Sequence, residues 1–313
     1  MESRQLGASG VEVSRLILGC GNFGGVGSAP AFFGQGESDE QAFELMDAAW
    51  SLGVRTFDTA DAYGGGRSER AIGAWIASRR ERPTIVTKTF NPMDVGADRG
   101  LSRARITRQL ESSLDRLGVD YVDAYLAHEF DPDTPLEETV ATFESLCEIG
   151  LVKAWGVSNV DAEQLRRVCA IARPAVVQNA YNLLERGDDA EVIALCTELN
   201  IAYTPFGPLA GGLLSGKYAS ADDRPSGSRL ALRPDPYEHL LSDETFARLA
   251  RFADAARARD VSAATLAIAW LLAQSFISAV VVGARRPEHL GHAVRALSVG
   301  LTSGDAELLA AIF

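Results

Sequence analysis

The sequence is poor in the residues that build small stapled or metal-held folds. Its 313 residues include four cysteines, four histidines and three methionines. The cysteines (Cys20, Cys147, Cys169 and Cys196) are scattered, with no CxxC and no histidine at ligand spacing. They read as reduced, mostly buried small hydrophobes of a cytoplasmic protein, which excludes a disulfide scaffold and a zinc module and leaves no metal site to assign. No run of eighteen apolar residues occurs, so no transmembrane helix is expected. The opening MESRQLGASG lacks the apolar h-region of a secretory signal. Basic charge is the minority: 30 Lys and Arg face 42 Asp and Glu, a net charge of −12. Such a surface repels phosphate backbones and anionic lipid, which argues against nucleic-acid and membrane partners.

What is present is alternation. Hydrophobic residues make up 47% of the chain, enough to bury a large core. Short β-branched or apolar runs recur at 15–21, 55–60, 84–89, 123–129, 152–159, 175–180, 201–206 and 279–284, each followed by helical periodicity. Ser38 and Gln41 have capping-box spacing, and Thr134-Pro135-Leu136-Glu137 reads as an N-cap, a first-turn proline and a capping glutamate. Apolar stripes follow at Phe43, Met46, Ala49 and Trp50, at Ile106, Leu110, Leu114 and Leu117, and at Leu290, Val294 and Leu297. Eight βα units in about 300 residues match a (β/α)8 TIM barrel, typically about 250 residues plus insertions. A doubly wound sheet shares the alternation and is the competing architecture. Three stretches exceed a minimal barrel: an N-terminal hairpin turning at Gly7-Ala8-Ser9-Gly10, a Gly/Pro-rich loop at 24–37, and a long connection at 207–242. No internal repeat or linker divides the chain, so 1–313 reads as a single domain.

Gly19-Cys20-Gly21-Asn22-Phe23-Gly24 matches GxGxxG after a strand, but the dinucleotide reading needs a helix at the third glycine and an acid ending the next strand about 20 residues on. Gly-Val-Gly-Ser-Ala-Pro follows instead, and the next strand-borne acid is as far away as Asp58. The motif reads as a flexible loop lining a pocket.

The chemistry concentrates at strand ends. Asp58 lies in the second run, with Tyr63 five residues on; Lys88 ends the third and His128 the fourth. In a barrel these four converge at one mouth. A phenol titrates near 10; an ammonium beside it favours the phenolate, and an aspartate keeps that ammonium charged. Histidine can hydrogen-bond a substrate oxygen.

The stretches FDTADAYGGGRSE (57–69), IVTKT, YLAHEFDPDTPLEETV (125–140), GLVKAWGVSNV (150–160), VVQNAYNLL (176–184) and PFGPLAGGLLSGKY (205–218) resemble the aldo-keto reductase superfamily, in its order and spacing along essentially the whole chain. The resemblance implies a barrel that binds NADP (as NADPH), or NAD, in extended form and reduces a small carbonyl substrate, as a monomer or homo-oligomer. It makes Tyr63 the general acid, with Lys88 and Asp58 tuning it and His128 orienting the carbonyl. It places Ser158, Asn159 and Gln178 on the nicotinamide carboxamide and Phe206 on the ring face. Gly21, Asn22, Gly207, Leu209, Gly211 and Lys217 would line the dinucleotide, with Gly283, Arg285 and His289 at its adenosine end. Gly291 and Ala293 replace the Glu and Asn common in relatives. Glu129, after His128, would put a carboxylate beside the substrate. The superfamily also contains potassium-channel β-subunits, so a nicotinamide-binding regulatory or sensor subunit is the alternative.

Overall fold

A computed structural model describes all residues, Met1–Phe313. An N-terminal hairpin, β1 (Ser3–Gln5) and β2 (Glu12–Ser14), precedes eight parallel strands. These are β3 (Leu16–Gly19), β4 (Thr56–Asp58), β5 (Thr84–Thr89), β6 (Val122–Ala127), β7 (Val152–Ser158), β8 (Val176–Gln178), β9 (Ala202–Tyr203) and β10 (Val280–Val282). They lie in the order β10-β3-β4-β5-β6-β7-β8-β9. The cylinder closes between β9 and β10, where Ser278 N donates to Tyr203 O and Val281 N to Pro205 O, both at 2.9 Å. Each expected strand is present, and TIVTKT keeps its expected bounds. The architecture is a (β/α)8 barrel.

Period two along the strands separates two cores. Ile17, Val86, Ala124, Leu126, Ala154, Val176, Ala202, Ala279 and Val281 form the barrel interior, closed at the strands' N-terminal end by Leu6, Val11 and Val13 of the hairpin. The alternate residues, such as Leu16, Leu18, Phe57 and Tyr125, join the larger layer packed on the helices. The hairpin turn sits tight on the barrel base: Gly7 has φ +53°, and a Cβ there would lie 2.8 Å from the carbonyls of Ala175 and Asn200.

Of the two helix starts marked by a capping signal, one forms as expected and one does not. Ser38 and Gln41 form a reciprocal capping box ahead of the helix Asp39–Ser51. The expected Thr134 cap does not form. Its hydroxyl donates to Asp131 Oδ2 at 2.7 Å, and the helix Leu136–Glu148 starts behind Pro135 without a side-chain cap. Asp131 also accepts from Leu101 N, so the Thr134 side chain is held by the carboxylate three residues before it. At the C-terminal stripe, Leu290 is buried with Ala293 and Ala296, whereas Leu297 is exposed.

Arg15 fastens the closure. Its buried guanidinium donates to the carbonyls of Ile277 (2.6 Å), Ser278 (2.8 Å) and Leu272 (2.8 Å) where the chain enters β10. Arg15→Ala strands these acceptors and is expected to lower unfolding free energy by about 3 kcal/mol, the order for loss of a charged donor to buried carbonyls. Urea denaturation measures it; a loss below about 0.5 kcal/mol would show the staple to be idle.

Candidate active site

The same period that fills the interior builds the site. Counting two residues beyond inward-facing Val86, Leu126, Gly156 and Val176 gives Lys88, His128, Ser158 and Gln178; Asp58 lies beside Val86 in register. Two steps beyond Thr204 parity comes Phe206, which packs on the interior cluster. All six therefore crown the interior at the C-terminal mouth, where loops of such barrels carry chemistry.

At its centre is an ion pair. Lys88 Nζ donates to Asp58 Oδ1 at 2.5 Å and to Thr59 O at 2.9 Å, with both side chains nearly without solvent contact. Burial pulls the ammonium's pKa down, but Asp58 and Tyr63 outweigh it, so the group stands above the usual lysine value and stays charged. Tyr63, in the turn after β4, places its ring centroid 5.1 Å from Lys88 Nζ. Its ring packs against Gly21, where a Cβ would stand in ordinary contact with Tyr63 Cε2 at 3.5 Å. The expectation that lysine depresses the phenol captures only part of the balance. Burial pushes Tyr63 up, Lys88 pulls it down and Asp58 pushes it up again, for a net rise. The phenol therefore holds its proton at neutral pH.

His128 stacks edge-on to Tyr63 at 5.5 Å between centroids. Burial, then the Lys88 charge, holds its pKa well below the usual value, so the ring is neutral. Its Nδ1 is buried without a hydrogen-bond partner.

Sequence reasoning overlooked the support behind this cluster. Asp61 accepts from Ala62 N (2.6 Å) and Thr89 Oγ1 (2.7 Å), and Thr89 in turn accepts from Arg105 (2.8 Å). This chain ties the Tyr63 turn to the end of β5. Glu69 adds a second tie, accepting from Thr87 (2.6 Å) and Arg116 (2.7 Å). The available signal was an unusual density of acids in DTADAYGGGRSE.

Around the cluster, Gln178 Nε2 donates one of its two N–H groups to Asp58 Oδ2 at 2.9 Å, and Oε1 remains to accept. Asn159 (φ +54°) spends Nδ2 on His128 O at 2.9 Å and lies within 3.3 Å of Ser158 Oγ. Beyond Phe206 the chain turns through positive φ at Gly207, Gly211 and Gly212. Tyr237 covers Gly211, and Lys217 folds over Gly212. Leu209 packs on the outer core. Asn22 Oδ1 accepts from Arg229 at 2.7 Å, which joins the 207–242 connection to the 22–37 loop. Beyond β10, Gly283 is exposed, Arg285 N donates to His289 Nδ1 at 3.3 Å, and Arg285 Nε reaches Glu37 Oε1 at 2.6 Å. No α-helix follows Gly24 until Asp39, in keeping with the rejected GxGxxG fingerprint.

Glu129 departs from expectation. One residue beyond inward-facing His128, it takes the opposite parity and lines an apolar gap with Val140, Phe143, Trp155 and Val168, toward the helix layer. Its only side-chain bond is from Asn159 Nδ2 at 3.3 Å. Burial alone lifts its pKa to about 7. A carboxyl raised in the folded state loses stability as pH climbs from its unfolded value near 4.5 to about 7. Glu129→Gln should therefore gain stability relative to the wild type across that window, and the two denaturation curves should stay parallel above it. A pH-independent difference would contradict the assignment.

A parallel eightfold barrel with a Tyr, Lys, Asp and His cluster at its C-terminal mouth defines a proton-handling barrel protein. The sequence model of the aldo/keto reductase family matches residues 15–312, and the chain belongs to that family. It is similar, at 34% identity over 100% of this chain and 96% of the relative, to the uncharacterized oxidoreductase YrpG of Bacillus subtilis (strain 168). It is also 34% identical to a probable voltage-gated potassium channel subunit beta of Oryza sativa subsp. japonica, covering 96% of this chain and 92% of that one. Among solved structures, the glycerol dehydrogenase AKR11B4 from Gluconobacter oxydans superposes with a TM-score of 0.84 at 25% identity, over 99% of this chain and 94% of its own. Members of the family use nicotinamide cofactors.

Proposed function

We propose that this protein reduces a small aldehyde or ketone to an alcohol with NAD(P)H, with Tyr63 as general acid. The observation that carries the reading is the buried Lys88–Asp58 pair beside a protonated Tyr63 at the barrel mouth. The residues present suit a nicotinamide cofactor. A carboxamide offers one acceptor and two donors; Gln178 Oε1 and the hydroxyl of Ser158 lie ready for it. Phe206 supplies an aromatic face. Lys217, Arg229, Arg233, Arg285 and Arg286 gather positive charge around the glycine-rich connection in a chain of net charge −12. A bound nicotinamide supplies the hydride that reduces the carbonyl carbon.

The chain's own residues do the rest. Neutral His128 donates a hydrogen bond to the carbonyl oxygen and orients it. Tyr63 Oη transfers its proton to that oxygen as it becomes an alkoxide. Lys88 stabilises the phenolate left behind, and Asp58 holds Lys88 in place. A raised phenol pKa suits this direction, because the acid must be protonated before the reaction. A cytoplasmic location accompanies the reading, supported by four free thiols. Steady-state oxidation of NADPH and NADH with aryl aldehydes, sugars and ketones tests it, with turnover expected for at least one class.

A second reading, a nicotinamide-binding regulatory subunit with little turnover, is favoured by the similarity to probable channel β-subunits. Cofactor binding without turnover on the same panel would support it instead.

A further inference from the structure

One acid has no role in the cluster above. Glu37 is 3% exposed, and its neighbourhood is positive. Arg285 Nε holds Oε1 at 2.6 Å, while Oε2 is buried with no partner. Arg229, from the 207–242 connection, is its other charged neighbour. Arg285 also donates to Gly227 O, and Arg233 reaches Val26 O at 3.3 Å. Three arginines from two separate segments thus converge on the 22–37 loop, and Glu37 is the one carboxylate among them.

The backbone fixes that carboxylate. Glu37 N donates to Asn22 O at 2.8 Å, and Gly24 N to Glu37 O at 2.9 Å. A Cβ on the preceding Gly36 would sit 1.9 Å from Asn22 O and 2.1 Å from Gly25 O. No other residue fits at Gly36, so the backbone leading into Glu37 is packed against Asn22 and Gly25. Burial raises its pKa while Arg285, by hydrogen bond and charge, opposes the rise.

We propose that Glu37 is a specificity-determining residue for the cofactor: it occupies Arg285 and competes with a 2′-phosphate for that guanidinium, which lowers the preference for NADPH over NADH. The inference rests on the nicotinamide reading above and on Arg285 lying at the adenosine end. A phosphate arriving at Arg285 meets a fixed carboxylate within hydrogen-bond range of the same fork. The two anions repel, and displacing Glu37 leaves a buried charge without its partner. A ribose hydroxyl carries no charge and brings no such conflict. Without Glu37, Arg285 presents its full charge to phosphate.

The test is cofactor binding, not turnover. Dissociation constants for NADPH, NADH and the fragments 2′,5′-ADP and 5′-AMP are measured by fluorescence and calorimetry. Glu37→Gln, which keeps shape and an acceptor, is expected to tighten NADPH and 2′,5′-ADP roughly tenfold and to move NADH and 5′-AMP less than about threefold; tenfold is about 1.4 kcal/mol. Arg285→Ala should weaken NADPH and 2′,5′-ADP and abolish the Gln effect in the double variant. Thermal unfolding confirms that each variant is folded. Binding of both cofactors with an NADPH/NADH ratio unmoved by Glu37→Gln would overturn this inference and leave the functional reading standing. Absence of binding to either cofactor would overturn both.

Discussion

Tyr63→Phe is expected to remove carbonyl reduction while leaving the affinity for nicotinamide cofactor within a few-fold. The phenylalanine ring fills the same space beside Gly21 and keeps its edge contact with His128; only the hydroxyl is lost. That hydroxyl is the one group at the mouth that carries a transferable proton at neutral pH, since His128 is neutral and Lys88 is held charged by Asp58. General acid catalysis typically contributes about 10²–10⁴-fold, and kcat should fall by that order. Fluorescence titration and steady-state kinetics on the same preparation separate binding from chemistry. A kcat within tenfold of the wild type would remove Tyr63 from the role.

Lys88→Met should depress kcat by about 100-fold or more and move the alkaline limb of the pH–rate profile to higher pH. The sign follows from the charges. The alkaline limb marks loss of the phenol proton; Lys88 lowers that pKa and Asp58 raises it. Removing the ammonium leaves Asp58 unopposed, so the phenol holds its proton longer, while the phenolate formed in the reaction loses its stabilising partner. The variant also strands a buried carboxylate, which destabilises the fold by about 3–5 kcal/mol. Lys88→Met/Asp58→Asn restores neutrality and should recover stability but not rate. A pH profile unchanged in the single variant would contradict the assignment.

The parts of this account legible in the sequence are those that follow from periods. TIVTKT keeps its expected limits because every residue but Lys88 is β-branched. Asp58, Lys88 and His128 were assignable because a strand's C-terminal end fixes where its side chain goes in a barrel. Glu129 shows the same rule at finer grain: adjacency to His128 suggested a place beside the substrate, and parity turned it toward the helices. What the sequence hid depends on partners far along the chain. Glu37 meets Arg285 across 248 positions, and Asn22 meets Arg229 across 207. Thr134 carried a local capping signal, yet its hydroxyl turns to Asp131 three residues back. The direction of the Tyr63 shift was likewise hidden, because it turns on burial set by the whole mouth.

The most direct measurement is a single turnover. Protein in excess is loaded with stoichiometric NADPH, mixed with an aryl aldehyde in a stopped-flow instrument, and followed by loss of reduced-nicotinamide absorbance with alcohol quantified at the end. The account predicts one equivalent of NADPH oxidised per alcohol formed in the wild type, and the same loading with a rate about 10²–10⁴-fold slower in Tyr63→Phe. Tight NADPH binding with no absorbance loss for any carbonyl of the panel, or an equal rate in the two proteins, would contradict it.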